Sequence, residues 1–203
     1  GEMLGIVSTG KTNKNALSDR LREYKRNGRK DFIKNISVKK IMEIDGNPSE
    51  PKIGILDLGI LNSFIKQLKI LGCNILLLPH DTDADKILKM KIDGLIISNG
   101  PEEDVCIPGV VDVTKKLLGK LPMMGISTGH EIIALALGGR LKRMKIGHHG
   151  VNYPVKSASS GKGEITVQNH SFVVDEDSMK ERNGVNITLR NINDNSIEEM
   201  ESS

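Results

Sequence analysis

The sequence predicts an α/β fold built on a central, mainly parallel sheet, and two patterns carry that expectation. Short apolar runs at 53–56, 75–78, 95–97 and 123–126 read as buried parallel strands. Helical stretches at 62–71, 83–90 and 110–118 separate them, the alternation of βαβ units with helices on both faces of a sheet. After Gly139 the texture turns to β, with candidate strands at 141–146, 164–168 and 185–192.

Ahead of the first run, Ala16, Leu17, Leu21 and Tyr24 fall at helical spacing, which predicts a short amphipathic helix over 13–26 ended by Asn27-Gly28. Asp45-Gly46-Asn47-Pro48-Ser49 is a dense cluster of turn formers, and a domain boundary is expected there, dividing 1–50 from 51–203. At 203 residues and 37% hydrophobic, the chain has enough apolar surface for a sizeable core.

No apolar run approaches the roughly 20 residues of a membrane span, and the first residues lack the order of a signal peptide, so a cytoplasmic protein is expected. The start at Gly1 suggests the edge of a fragment or a processing product. Cys73 and Cys106 stand in unrelated contexts, without metal-ligand spacing, and read as reduced thiols. The first fifty residues hold 11 Lys+Arg against 7 Asp+Glu, while the remainder is nearly neutral. With 2% aromatic residues there are few stacking platforms, and nucleic-acid binding is not expected.

The chemistry centres on Ser127. The apolar strand 122–126 runs directly into Ser127-Thr128-Gly129, after which Ile132, Ile133, Ala136 and Leu137 mark a helix ended by Gly138-Gly139. A nucleophile at such a turn stands clear of the sheet, beside helix-start N–H groups able to stabilise an oxyanion. A serine hydrolase would also need an acid and then a histidine downstream. No aspartate lies between Ser127 and His170, and no histidine follows His170, so an esterase is poorly supported.

Wider blocks carry a resemblance. Lys52-Ile53-Gly54-Ile55-Leu56-Asp57-Leu58-Gly59-Ile60 with Asn62-Ser63, then Leu78-Pro79-His80-Asp81-Thr82, Asp93-Gly94-Leu95-Ile96-Ile97-Ser98-Asn99-Gly100-Pro101, Gly147-His148 with Gly150-Val151-Asn152, and Gln168-Asn169-His170 follow in order. Together they resemble the class I glutamine amidotransferase domain of carbamoyl phosphate synthetase small subunits over residues 52–200. The resemblance implies a three-layer, flavodoxin-like amidotransferase domain over 51–203. It also implies a remnant of the small subunit's N-terminal domain plus linker over 1–50, its closing strand resembled by Met3-Leu4-Gly5-Ile6-Val7-Ser8.

The implied activity is glutamine hydrolysis, with ammonia passed to an ATP-using large subunit for carbamoyl phosphate, a precursor in arginine and pyrimidine biosynthesis. The implied partners are that large subunit and glutamine, with no cofactor and no metal. Ser127 occupies the position of the family's nucleophilic cysteine, and the implied glutamine-binding residues are Gly100, Thr128, Glu131, Asn169, Ser171 and Phe172.

Several departures predict weak or absent glutaminase activity. A serine hydroxyl depends on a base more than a thiol does. The family's His-Pro-Glu segment is absent before Ser203. Glu131 replaces a glutamine and is expected to turn a charge toward the substrate. The family's Gly-Pro-Gly reads Gly100-Pro101-Glu102, and its Asn-His-Gly reads Asn169-His170-Ser171, so strain is expected if either glycine needed positive φ. Gly125-Ile126-Ser127-Thr128-Gly129 also resembles the elbow of ammonia-dependent synthetases, in which this domain has lost glutaminase activity. A degenerate amidotransferase, or a non-catalytic module docking on a large subunit, follows as the expectation.

Other motifs weigh less. Gly5-Ile6-Val7-Ser8-Thr9-Gly10-Lys11-Thr12 spells a P-loop with Asp57 as a conceivable partner, but only four residues precede it. His148-His149 lack a third ligand at helical spacing and read as loop or strand edge. His130 reads as supporting structure, His170 as a residue that orders its loop, and Asp175, Glu176 and Asp177 as a solvated turn.

Overall fold

The computed structural model describes residues 5–10, 13–27, 31–180, 182 and 184–202. Four apolar runs form the parallel strands β2 (Lys52–Asp57), β3 (Asn74–Pro79), β4 (Gly94–Ile97) and β5 (Met123–Gly125). A short strand, β1 (Met42–Ile44), adds antiparallel to β3, so the sheet runs β1-β3-β2-β4-β5. Helices α3 (Asn62–Ile70), α4 (Ala84–Lys89), α5 (Ile107–Leu117) and α6 (Thr128–Ala136) follow β2 to β5 in turn, each within a few residues of its expected position.

Alternate side chains of the buried strands feed two cores. Leu56, Leu78, Leu95 and Ile97 pack with Ile87, Val110, Leu117 and Ile132 on one face. On the other, Ile55, Ile75, Leu77 and Ile96 meet Phe64, Ile65 and Leu68 of α3. Period-two alternation of strand side chains, with both faces covered, explains why these strands are almost wholly apolar.

The segment before the turn cluster at 45–49 packs against this body. Ile33, in the short helix α2 (Phe32–Ile36), is fully buried among the α4–α5 core residues, and its amide donates to Asp104 Oδ2 at 2.9 Å. Asp57, at the end of β2, accepts from the amides of Val38 (2.8 Å), Gly59 (3.0 Å) and Ile60 (3.0 Å). That carboxylate is spent on backbone capping, which removes it as a partner for a P-loop. Lys11 and Thr12 lie outside the described residues, and 5–10 form no regular element. The expected amphipathic helix is α1 (Lys14–Asn27). Met3 and Leu4 of the proposed closing strand also lie outside the described residues.

The second half folds into an antiparallel sheet, β7-β6-β8-β9, from β6 (Leu141–Ser157), β7 (Gly163–Val174), β8 (Val185–Asn191) and β9 (Ile197–Ser202). β6 and β7 run well past their expected ends. Among the described residues, four irregularities interrupt the ladders of this sheet, and two of them bear on the site. Between the pairs Arg143↔Phe172 and His148↔His170, β6 carries residues 144–147 against the single Ser171 of β7. Glu198 is the extra residue between Leu189↔Glu199 and Arg190↔Ile197. Such bulges break the pairing locally and re-aim side chains.

Asp175 to Asp177 are a correction to the solvated-turn reading. Asp175 is buried and N-caps the short helix α7 (Glu176–Met179), accepting from the Asp177 amide. Lys142 and Arg140 pair with it, and those contacts hold its carboxyl below the usual range.

Candidate functional site

Strand β5 ends at Gly125, and helix α6 begins at Thr128, leaving Ser127 as the pivot at φ 52° and ψ −116°. A non-glycine residue there is strained, and such strain persists only where its surroundings over-determine it. The two glycines provide that constraint. A Cβ on Gly125 would stand 2.3 Å from the Gly129 carbonyl oxygen, and one on Gly129 would stand 2.0 Å from that of Ile97. Helix and sheet therefore approach within a distance only bare backbone allows, and the chain between them must turn sharply through Ser127. Among the described residues, the Thr128 amide makes no backbone hydrogen bond, the arrangement an oxyanion-binding amide requires.

Thr128 is buried, and its hydroxyl donates to the Gly100 carbonyl at 2.6 Å, tying the elbow to the loop after β4. Gly100 cannot carry a side chain either, because its Cβ would lie 2.5 Å from the Leu58 carbonyl oxygen. Gly100 and Thr128 thus form the backing of the site. Ser127, Glu131, Asn169 and Phe172 line a common cavity of about 1290 Å³, together with His130 and His170.

Two residues beyond Gly100, Glu102 bridges the loop after β4 to β7. Its carboxylate accepts from the Ser171 amide at 2.8 and 2.9 Å and from the Phe172 amide at 3.1 Å. The β6 bulge explains why a side chain can reach these amides, since Ser171 lies opposite the displaced segment 144–147. Glu131, buried on α6, hydrogen-bonds the same carboxylate, and desolvation, then the Glu102 charge, push its pKa up to about 9. At neutral pH Glu131 keeps its proton and is the donor of the pair. The sequence expectation of a charged Glu131 gives way to a neutral one, because burial first and the neighbouring Glu102 second both disfavour its ionised form. Neither Glu102 nor Ser171 has positive φ, so the strain expected from the lost glycines does not arise.

The histidines divide by role. His130 is mostly buried with Nε2 unpartnered, and desolvation, followed by the His170 charge, lowers its pKa. Among the described residues Ser127 makes no side-chain hydrogen bond, so no imidazole is seated as its base. Asn169 Oδ1 engages His149 Nδ1 at 2.8 Å. His148 and His170 are direct cross-strand partners, an association that helical spacing could not reveal.

A sharp nucleophile turn backed by glycines, at the carboxyl edge of a parallel sheet, is matched by the family model for glutamine amidotransferase class-I across residues 54–203. The chain belongs to this family. Curated relatives of this amidotransferase include a carbamoyl phosphate synthase small chain from Clostridium acetobutylicum, 44% identical over 170 residues, covering 84% of this chain and 48% of that one. The chloroplastic small chain of Oryza sativa subsp. japonica is 41% identical, covering 69% of this chain and 31% of that one. The chain therefore spans about half or less of the relatives it matches. Among solved structures, a putative GMP synthase subunit from Thermoplasma acidophilum superposes with a TM-score of 0.62 at 18% identity, covering 76% of this chain and 79% of that one. That likeness establishes the fold, a class I amidotransferase with a mostly parallel central sheet.

Proposed function

We propose that this chain is the amidotransferase region of a carbamoyl phosphate synthase small-chain type protein in which glutamine hydrolysis is suppressed, leaving a module that docks on a large synthetase subunit. The observation that carries the reading is the Glu102 carboxylate seated on the Ser171 and Phe172 amides. These amides belong to the stretch that the family resemblance assigns to glutamine, and an internal carboxylate competes there at an effective concentration no free amino acid matches. Glu131 reinforces the block by donating its proton to Glu102.

The elbow supports family descent, and Ser127 supports low turnover. A hydroxyl without a hydrogen-bonded base is a far weaker nucleophile than a thiolate. Loss of a member of such a catalytic unit costs roughly 10⁴ or more in rate. The small-chain relatives support docking as the remaining role. The P-loop reading gains no support, since Asp57 caps backbone amides.

Glutamate release from L-glutamine by the 203-residue chain tests the catalytic half, with a rate indistinguishable from Ser127→Ala expected. Measurable turnover abolished by Ser127→Ala would overturn it. Co-purification with a large synthetase subunit, retained in Ser127→Ala, tests the docking half, and failure to associate would leave that half without support.

A further inference from the structure

On the antiparallel sheet, three potential ligands converge: His148 from β6, His170 from β7 and Glu198 from the bulge in β9. Their ligand atoms lie within 4.8 Å of one another. His148 Nδ1 is 3.6 Å from Glu198 Oε1, and His170 Nε2 is 3.5 Å from Glu198 Oε2. Two atoms bound to one tetrahedral zinc ion at about 2.0–2.1 Å stand roughly 3.4 Å apart, so these separations need little adjustment.

The outer hydrogen bonds orient both rings. His148 Nε2 faces Asp194 Oδ2 at 3.0 Å and must donate, which leaves the Nδ1 lone pair directed at Glu198. His170 Nδ1 faces the Phe172 carbonyl at 2.8 Å, and a neutral ring that donates there directs its Nε2 lone pair at the same carboxylate. Gln168 Oε1 adds another acceptor 3.3 Å from His170 Nε2. The donors facing this group are Asn191 Nδ2, 3.4 Å from both His148 Nδ1 and Gln168 Oε1, and the Ser196 hydroxyl, 2.9 Å from Glu198 Oε1. Among the described residues no lysine or arginine pairs with Glu198, so ring nitrogens and a carboxylate converge there without one. A carboxylate and a carbonyl behind the two imidazoles are the outer partners that orient histidines toward a metal.

We propose that His148, His170 and Glu198 form a binding site for one divalent transition-metal ion, zinc by its nitrogen and oxygen ligand set. His148 is buried, while His170 and Glu198 line the cavity that also contains Ser127, so a fourth coordination position opens toward that cavity. Three protein ligands with one open position is the pattern of an accessible zinc site rather than a closed structural one. The site is independent of whether glutamine binds.

The test is calorimetric titration of the chelator-treated full chain with ZnCl₂, accompanied by Co²⁺ absorption spectra. One ion per chain is expected, with visible d–d bands of tetrahedral intensity for cobalt. Glu198→Gln and His170→Ala should each weaken binding by about 100-fold or more, Asp194→Asn by about 10- to 100-fold, and His149→Ala should bind as the parent does. Should His170→Ala fail to fold, Glu198→Gln, which preserves shape, decides the matter. Absence of stoichiometric binding overturns the proposal, as does binding unchanged in Glu198→Gln. Histidine NMR showing an imidazolium at 148 or 170 that persists with excess zinc would overturn it as well, the positive charge being supplied by a proton.

Discussion

The elbow and the cradle beside it are specified by different parts of the chain. At the elbow, backbone decides: Gly125, Gly129 and Gly100 permit contacts in which a Cβ would stand 2.0 to 2.5 Å from a carbonyl oxygen, and Ser127 is held in a strained turn as a result. At the Glu102 cradle, side chains decide, with Glu102 bonded to two amides and Glu131 protonated against it. Backbone geometry of this kind is required by the fold whether or not chemistry occurs. A cradle made of side chains can change without endangering the fold. On the proposed reading, the contrast explains how an amidotransferase frame can persist while two of its β7 amides are taken by its own carboxylate.

The contrast can be broken first at the elbow. Gly129→Ala would force α6 away from β4, because the Ile97 carbonyl cannot yield by the required distance. Overpacking against rigid backbone costs about 3 kcal/mol or more, so a large fall in the thermal midpoint or loss of the folded state is expected. A variant with the parent's melting temperature would show that the close approach is not a constraint.

Glu131→Gln sharpens the other side. The native Glu131 keeps its proton to about pH 9, whereas an unfolded glutamate loses it near 4.5. The folded state therefore binds more protons between these values, and stability falls as pH rises through that window, by up to roughly 1.4 kcal/mol per unit. Glutamine at this position removes the dependence. The variant should unfold at higher denaturant than the parent at about pH 8, by on the order of 3 kcal/mol, with little difference at about pH 4.5. Parallel pH profiles for the two proteins would contradict the neutral Glu131.

A smaller effect is expected where the elbow and the loop after β4 are joined. Thr128→Val keeps the volume but deletes the 2.6 Å bond to the Gly100 carbonyl. A loss of about 1 to 2 kcal/mol in chemical denaturation is expected, the cost of leaving a buried acceptor unpaired.

Much of the parallel sheet was legible because its strands are continuous apolar runs, largely buried in β2, β3 and β4, while edge strand β5 leaves Met124 exposed. The elbow was legible because an apolar strand runs directly into Ser127 and a helical pattern follows it, with Gly125 and Gly129 on either side. Strands β1 and β9 were not. Met42-Glu43-Ile44 is too short to show a period, and Ile197 to Ser202 carries three glutamates on an outer strand, where charge discourages unwanted pairing. The roles of Glu102, His148 and Glu198 depended on bulges that shift register, and no local pattern announces those. Asp175 was misread because its partners Arg140 and Lys142 lie more than thirty residues away in sequence.

Calorimetric titration of L-glutamine into the parent chain and into Glu102→Gly/Glu131→Gln tests the occupied-cradle account most directly. The double variant takes the carboxylate off the Ser171 and Phe172 amides and restores a neutral amide on α6. No detectable heat is expected from the parent and saturable binding from the variant, at least about tenfold tighter than any parent signal. Equal binding by both proteins, or none by the variant although it is folded, would contradict it.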